Sequence, residues 1–479
     1  MMNEQQTDLR DNTKRIYLVI FLTALLLRLI YCFYLQQFMW GGGFRYTTPD
    51  TSSYLNSFMN LIHYGRYCFD LDIKDSCFYR LPTYPFFLGI NHLLFGKLAW
   101  ASVSVFQSII DATSCCLAFA IARGLDFDAI SQRVVALLFV FYPFTIVWTS
   151  VQVPEVVGVF FVLLAVYFIV VEKREVLAMI GGGAALVLAV WSKQYILALL
   201  PAIFFLVAAR RNTKRIITFT AAIYLSFCLF YAPWPIRNYV NHGEWAPLMG
   251  KTTGVRAHLA DFNSAMDFAS LFYENPSEVL AEVVSKGQLV LPDSKFVDAH
   301  LNEIDQTAML AFTTGPSFKT WRHEAVIIND ESRSAEKKVA DAFVSLSAKA
   351  KAEMGFMEYY RTGFEGFQKG FFKTTYAVKN GSSIIQALLF VYRGVLVILG
   401  ILSIFVARDR VRCFVLGVLI YWFSTLFVLS FVYRHVEMRY LLMSDMLLIL
   451  CSGLTIGWIV VKAQKISHAD ANNYEKQAG

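Results

Sequence analysis

Two carboxylates lie where a membrane protein could do chemistry, beside prolines at the borders of apolar segments. Asp50 follows Pro49 and directly precedes a plausible helix, and Glu155 follows Pro154 at the start of an apolar segment. An ionised carboxylate can orient an acceptor hydroxyl and take its proton. Each residue also has a structural interpretation, because Asp50 could cap its helix and Glu155 suits the positive field of a helix N-terminus. Both interpretations stay open at this point.

Basic residues recur in the same kind of place. Arg80 stands just before two prolines, Arg237 lies within a segment rich in proline and aromatic residues, and Arg439 precedes a late apolar segment. A guanidinium at the height of the lipid head groups suits a phosphate, although it can equally anchor the chain at the interface. Four further side chains of these clusters are predicted to line a substrate cavity: Tyr54, Tyr84, His435 and Tyr440.

The composition places these clusters in a membrane protein. Hydrophobic residues make up 56% of the 479 residues and charged residues 16%, and Phe alone occurs 42 times. Globular proteins are usually ~45–50% apolar and ~25% charged. This excludes a disordered chain, a collagen and a disulfide scaffold, and it argues against a soluble cytosolic enzyme. The net charge of +7 is spread over the loops, so we do not expect a nucleic-acid partner.

Apolar segments predict an all-α polytopic membrane protein with about ten transmembrane helices. A span needs about 20 mostly apolar residues, and some candidates are shorter. Lys and Arg concentrate in alternate loops, whereas the opposite short loops hold only Lys193, Arg434 and Arg439. Because positive residues favour the cytoplasmic side, both termini are predicted to be cytoplasmic and the clusters above extracytoplasmic. The candidate spans are 16–35, 98–122, 134–149, 156–171, 176–191, 195–209, 216–233, 384–406, 411–431 and 440–461.

Two long outside segments divide the chain into three parts. We predict a catalytic membrane module at 1–250 that includes a first outside loop at 36–97, a large and mainly helical outside region at 234–383, and C-terminal spans with a cytoplasmic tail at 384–479. Cys68 and Cys77 lie in the first outside loop, where an oxidising compartment would allow a disulfide; two free thiols are the alternative. Residues 359–372 predict an amphipathic helix that either lies in the membrane interface or packs on the protein.

The sequence requires no cofactor. Its eight His residues show no metal-binding spacing, and it contains no HExxH or CxxC motif, so a zinc hydrolase has no support. The metal site is left unknown, and a divalent cation near the carboxylates stays compatible with the sequence.

Outer carboxylates combined with outer arginines fit sugar transfer from a lipid phosphate, since a carboxylate can act as base and arginine can stabilise the leaving phosphate. The motifs resemble those of the GT-C-type polytopic membrane glycosyltransferases, the superfamily of the protein O-mannosyltransferases and aminoarabinose transferases. The resemblance covers the first ~250 residues and the last span. It is carried by residues 25–29, Pro49-Asp50 with Tyr54 and Gly65, residues 80–85, Pro154-Glu155, residues 233–239 and Arg439-Tyr440.

The resemblance implies a GT-C-type first outside loop and a polyprenyl-phosphate-linked sugar donor. Transfer would be inverting, on the extracytoplasmic face, to a hydroxyl of a cell-surface glycan, lipid or protein. Independently of the resemblance, the short inside loops favour a bacterial inner (plasma) membrane. Asp50 and Glu155 would be the catalytic carboxylates. The residues expected near the donor phosphate are Arg80, Arg237, Lys193 and Arg439. One departure is that Thr51, not a second acidic residue, follows Asp50, which weakens the case for a catalytic metal.

Two other classes share several of these features. A lipid-diphosphate-dependent glycan polymerase or ligase would also have many spans, a large outside loop and outward arginines, but it would not need the pattern of Asp50 with Arg80. A transporter or flippase would show paired broken helices and internal symmetry. We find neither in the sequence.

Overall fold

The protein is described by a computed structural model, which covers residues 2–39, 43–44, 46–48, 50–71, 74–210, 215–243, 245–248, 260–273, 276–322, 324–327, 329–372, 383–434 and 436–478. Within these ranges the chain is helical and contains no strand. The N-terminal helices are α1 (Met2–Ile30), α2 (Gln36–Met39), α3 (Thr51–Tyr64), α4 (Thr83–Phe95), α5 (Ala99–Gly124), α6 (Ala129–Val140), α7 (Pro143–Ile146), α8 (Glu155–Val170), α9 (Glu175–Ser192), α10 (Ile203–Ala208), α11 (Ile216–Tyr231) and α12 (Pro233–His242).

The remaining helices form an outer group and a second membrane group. The outer group comprises α13 (Ala260–Ala269), α14 (Pro276–Lys286), α15 (Lys295–Thr314), α16 (Pro316–Trp321), α17 (Asp330–Glu353), α18 (Phe356–Tyr359) and α19 (Arg361–Phe372). The second membrane group comprises α20 (Ser383–Val406), α21 (Asp409–Phe427) and α22 (Met438–Ala478).

The apolar helices agree with the predicted spans. Eight helical stretches of the described chain are long and apolar enough to cross a membrane, and two shorter apolar helices, Glu155–Val170 and Gln194–Ala208, complete the series. Each of the ten predicted segments coincides with one of them. The all-α polytopic architecture is therefore confirmed.

A glycine separates α4 from the second span, although Thr83–Gly124 is one continuous helical stretch. Gly96 adopts φ 52° and ψ −119°, a conformation that L side chains rarely tolerate. The chain therefore bends there, and α4 belongs to the segment 36–97 that we predicted as the first outside loop, where it contacts α3.

Helix α22 lies at the centre of the membrane bundle, in contact with α6, α8, α20 and α21. Gly453 and Gly457 face α6 so closely that an added Cβ would collide with Val135 or Ser131. Small residues allow such close helix approach in membranes, where dispersion rather than the hydrophobic effect drives packing.

Two buried ion pairs fix the bundle. Arg28 of α1 donates to Asp111 of α5 at 2.7 Å and also to the carbonyls of Val140 and Phe139. Charged groups inside a bilayer must be paired or solvated, and all of these partners lie within protein. Arg28 therefore ties the first span to its neighbours.

The second pair joins the C-terminal spans to the outer helices. Arg393 of α20 donates to both oxygens of Asp445, at 2.9 and 3.1 Å, and to the carbonyl of Gly370 in α19 at 2.7 Å. The indole nitrogen of Trp422 donates to the same carboxylate. One buried network thus holds α19, α20, α21 and α22 together.

Helix α19 packs on the protein. It presents Gly363, Gly366 and Gly370 to the outer end of the span that contains α21, and an added Cβ at Gly363 would lie 2.6 Å from the ring of Phe431. The helices before it have a core of their own, which includes Phe262, Phe268, Phe318 and Phe343. Of the two interpretations of residues 359–372, the structure supports the packed amphipathic helix.

Candidate active site

Asp50 stands at the N-terminus of α3, but its carboxylate does not cap that helix. Instead, Nη2 of Arg80 donates to Oδ1 of Asp50 at 2.9 Å. Nε of Arg80 donates to the hydroxyl of Ser53, one turn further along α3, at 2.8 Å. The capping interpretation of Asp50 is therefore wrong, because its carboxylate binds Arg80 and not the amides of α3.

Arg80 is held rigidly beneath Asp50. Only 4% of its surface is exposed, and its guanidinium lies 4.0 Å from the ring centre of Tyr54 and 4.4 Å from that of Tyr79. Burial lowers the pKa of Arg80, but Tyr54, Tyr79 and Asp50 together raise it by more, so the net pKa lies above its ordinary value. Arg80 is a fixed positive charge at this place.

The last span brings a second guanidinium to Asp50. Nη1 of Arg439, at the start of α22, lies 3.7 Å from Oδ2 of Asp50. Arg439 also pairs with Glu437, and its Nη2 donates to the hydroxyl of Tyr440 at 3.0 Å. Residues from opposite ends of the chain therefore meet at one carboxylate.

A second pair of opposite charges lies beside the first. Nζ of Lys193 is 3.3 Å from Oε1 of Glu155, which is fully buried. Neither carboxylate oxygen of Glu155 meets hydrogen-bond geometry with any described residue. The ring of Tyr440 lies near a cation of each pair. Nζ of Lys193 is 5.3 Å from the ring centre and the guanidinium carbon of Arg439 is 4.9 Å from it.

Asp50 stays ionised in this surrounding. Burial raises the pKa of its carboxyl, but the charges of Arg80, Lys193 and Arg439 together lower it by more. The net pKa lies below the ordinary value. At neutral pH the group is therefore a carboxylate that can accept a hydrogen bond. Its Oδ2 lies beyond hydrogen-bond distance of Arg439, and the side chain is 28% exposed.

Two predicted site residues are placed differently, and the position of a third is not described. Tyr84 is fully buried and donates to Gln107 at 3.1 Å, so it supports the ring of Tyr54 from behind. Arg237 donates to the carbonyls of Cys77 and Tyr67, both at 2.9 Å, and is not among the groups around Asp50. His435 lies outside the described residues.

The first outside loop is closed by a disulfide between Cys68 and Cys77. Because Arg237 binds the carbonyl of Cys77 and the loop carbonyl of Tyr67, it fastens this loop to the end of α12. Arg237 therefore supports the loop that carries Asp50 and Arg80.

Sequence reasoning missed three neighbours of the site. Ser53 positions Arg80, Glu437 pairs with Arg439, and the ring of Tyr195 lies 5.4 Å from that of Tyr440. The spacing of Ser53 from Asp50 on one face of α3 was the available signal for the first. Nothing in the sequence indicated that Tyr195 lies near the site, because it belongs to an apolar segment. No group of three or more His, Cys, Asp or Glu side chains that could hold a metal occurs among the described residues.

Part of the chain is similar to a known protein family. Residues 80–235 match the family model described as dolichyl-phosphate-mannose-protein mannosyltransferase. This match confirms the GT-C-type resemblance. It includes Arg80, Glu155 and Lys193 and ends within α12, so Asp50 and Arg439 lie outside it. No curated protein matches the chain.

Two solved structures show low similarity to the chain. The archaeal oligosaccharyltransferase AglB from Archaeoglobus fulgidus, in complex with an inhibitory peptide and a dolichol-phosphate, is 14% identical with a TM-score of 0.48, over 96% of this chain and 52% of that one. The chain thus spans about half the length of the archaeal enzyme. ArnT from Cupriavidus metallidurans, bound to undecaprenyl phosphate, is 12% identical with a TM-score of 0.37, over 92% of this chain and 78% of that one.

Proposed function

We propose that this protein transfers a sugar from a polyprenyl-phosphate donor to an acceptor hydroxyl on the extracytoplasmic face of a bacterial inner membrane. The observation that carries the proposal is the meeting of Arg80 and Arg439 at the carboxylate of Asp50. Both arginines belong to the ends of apolar segments that the charge distribution assigns to the outer side. The family description of residues 80–235 names a donor of the same chemical class.

Asp50 is the group we assign to the acceptor. Its Oδ1 is engaged by Arg80, while Oδ2 has room for a hydrogen bond from an acceptor hydroxyl. In a single inverting displacement, the acceptor oxygen bonds to the anomeric carbon as the bond from that carbon to the phosphate oxygen breaks. The hydroxyl proton passes to Asp50, and the electron pair of the broken bond goes to the lipid phosphate.

The cations are assigned to that phosphate. Negative charge develops on the leaving oxygen, and fixed positive groups stabilise it without reorganising. Arg80 and Lys193 are 5% and 11% exposed cations of this site, and Arg439 contacts both Asp50 and Glu437. Arg237, which we predicted as a further phosphate ligand, is assigned to loop support because its guanidinium already binds two carbonyls.

The test is sugar transfer by the purified full chain in phospholipid nanodiscs, with polyprenyl-phosphate sugars as donors. Asp50→Asn keeps the size of the side chain and removes its charge, and we expect at least about a hundredfold loss of transfer, as for loss of a general base. Asp128→Asn is the matched control, because Asp128 is a true helix cap that accepts from the amides of Ile130 and Ser131. Asp128→Asn should lower stability slightly and leave transfer unchanged. Equal activity of Asp50→Asn and wild type would overturn the assignment of Asp50, and no transfer from any donor would overturn the function.

A further inference from the structure

Arg434 is a buried arginine that forms no ion pair within the described part of the chain. Five arginines of the described chain are less than one-tenth exposed: Arg28, Arg80, Arg210, Arg393 and Arg434. Three of these pair with an aspartate, and Arg210 donates to three backbone carbonyls. Arg434 forms no ion pair with a described residue, and its Nη1 is buried without a hydrogen-bond partner. Tyr359 and the charge of Asp267 compensate this guanidinium only in part, since Nη1 keeps an unmet hydrogen bond. An unmet buried donor is costly, so an anion bound at Nη1 would relieve that cost.

Aromatic side chains surround this guanidinium. It lies 4.6 Å from the ring centre of Tyr359 and 5.7 Å from that of Tyr360. The ring of Phe356 contacts Tyr360 at 4.9 Å and is 68% exposed. An exposed aromatic face beside a buried cation offers stacking for the apolar face of a sugar and an ionic contact for its acidic group.

Arg434 also lies on the segment that reaches the candidate active site. The hydroxyl of the preceding Tyr433 accepts a hydrogen bond from Gln194 at 2.8 Å, and Gln194 follows Lys193. Five residues further along, Arg439 contacts Asp50. Five residues of extended chain span at most about 18 Å, so a ligand at Arg434 is within reach of the site as an extended glycan.

We propose that Arg434, Tyr359, Tyr360 and Phe356 form an acceptor subsite for an acidic glycan, in which Arg434 binds a carboxylate or phosphate group of the chain that receives the sugar. The proposal rests on the function proposed above, and it narrows the acceptor from any hydroxyl compound to an acidic carbohydrate. Main-chain strain accompanies the site, since Arg434 has φ 52°, which non-glycine residues rarely adopt.

Binding is measured first, because it does not depend on turnover. The full chain in nanodiscs of neutral phosphatidylcholine is titrated with an oligosaccharide that contains glucuronate, with a sugar phosphate, and with a neutral oligosaccharide of equal length, and its thermal unfolding is followed by tryptophan fluorescence. We expect at least one of the acidic ligands to stabilise wild type and the neutral one to have little effect. Arg434→Gln should weaken acidic-ligand binding by roughly 10- to 100-fold, the range for loss of a charged hydrogen bond.

Two further variants keep the test decisive if Arg434→Gln folds poorly. Phe356→Ala changes an exposed side chain and should weaken the acidic ligand by several-fold. Arg322→Gln is the matched control, since Arg322 also lies over a ring, that of Phe312 at 4.3 Å, but pairs with Glu324. It should bind the acidic ligand as wild type does.

The outcomes separate this proposal from the proposed function. In the transfer assay, Arg434→Gln should raise the acceptor KM and leave kcat within about twofold, whereas Asp50→Asn loses kcat. Selective binding of acidic glycans with no transfer would support the subsite and overturn the function. Equal binding by wild type and Arg434→Gln would overturn the subsite. So would stabilisation by anionic phosphatidylglycerol in the nanodisc but by neither acidic ligand, because Arg434 would then hold a lipid head group.

Discussion

Removal of Lys193 should destabilise the protein far more than removal of an exposed cation. Lys193→Met keeps the length and apolar stem of the side chain and deletes the charge that faces Glu155. Since Glu155 is fully buried and its oxygens make no hydrogen bond within the described chain, the variant leaves an unpaired carboxylate inside the protein. The magnitude follows from this geometry.

At the 3.3 Å separation of Nζ and Oε1, two unit charges attract by about 5 kcal/mol at an effective dielectric constant of ~20. Desolvation of both ions offsets much of this in the intact pair. Loss of one partner removes the attraction but leaves the remaining ion buried, which typically costs about 3–5 kcal/mol. We expect that loss in the free energy of unfolding of Lys193→Met. Glu155→Gln leaves the ammonium of Lys193 unpaired in turn, but it should cost less because Lys193 is 11% exposed and can gain contact with water, whereas Glu155 is fully buried.

The assay is a double-mutant cycle of unfolding in mixed micelles, monitored by tryptophan fluorescence. In the double variant Glu155→Gln with Lys193→Met both charges are gone, so it should recover on the order of 2–3 kcal/mol relative to the sum of the single variants. The matched control is Arg174→Met. Arg174 lies 3.0 Å from Glu172 but is 74% exposed, and its loss should leave the free energy of unfolding nearly unchanged.

A cost below about 1 kcal/mol for Lys193→Met would contradict the reasoning, because it would mean that Glu155 is solvated or otherwise compensated. Strict additivity in the cycle would contradict it equally, because additivity means that the two side chains do not interact.

Three other outcomes are expected. The pKa of Asp50 lies below its ordinary value, because the nearby cations lower it by more than burial raises it. The ionised carboxylate should therefore contribute fully to stability above about pH 4, and this contribution should vanish as the pH falls through the lower folded-state pKa. The difference in unfolding midpoint between wild type and Asp50→Asn should shrink only below about pH 4, and a difference that shrinks between pH 5 and 7 would refute this assignment. Reduction of the bond between Cys68 and Cys77 should lower the free energy of unfolding by about 2–3 kcal/mol, measured with and without reductant, whereas no change would show that the loop is held by Arg237 alone. Gly363→Ala should cost about 1–3 kcal/mol through overpacking against Phe431, with Gly355→Ala, where an added Cβ meets nothing within 4 Å, as the control that should leave stability nearly unchanged.

The membrane architecture followed directly from the sequence, because its physical cause is local. A helix in lipid must satisfy its own backbone and be apolar along its length, so each span can be recognised in its own residues. The pairing of Arg28 with Asp111 could be anticipated for a related reason: a charge within a span needs a partner, and few partners were available.

The roles of individual site residues were harder to infer, because side-chain partners come from distant parts of the chain. Asp50 looked like a helix cap in its local sequence, and only its contact with Arg80, from the segment before α4, shows otherwise. Arg237 looked like a ligand for phosphate, yet carbonyls of the first loop occupy its guanidinium. In both cases the local pattern identified the residue but not its partner.

The sequence by itself determined which residues lie in the membrane, which side of it the charged clusters share, and which residue types are available there, since these depend on hydropathy and on charge along the chain. Only the tertiary structure decided that Arg439 reaches Asp50, that Lys193 faces Glu155, and that Nη1 of Arg434 is buried without a hydrogen-bond partner among the described residues. These contacts depend on how closely the helices approach one another. That approach is set by small residues such as Gly453 and Gly363 against their particular neighbours, and sequence periodicity does not encode which neighbours those are.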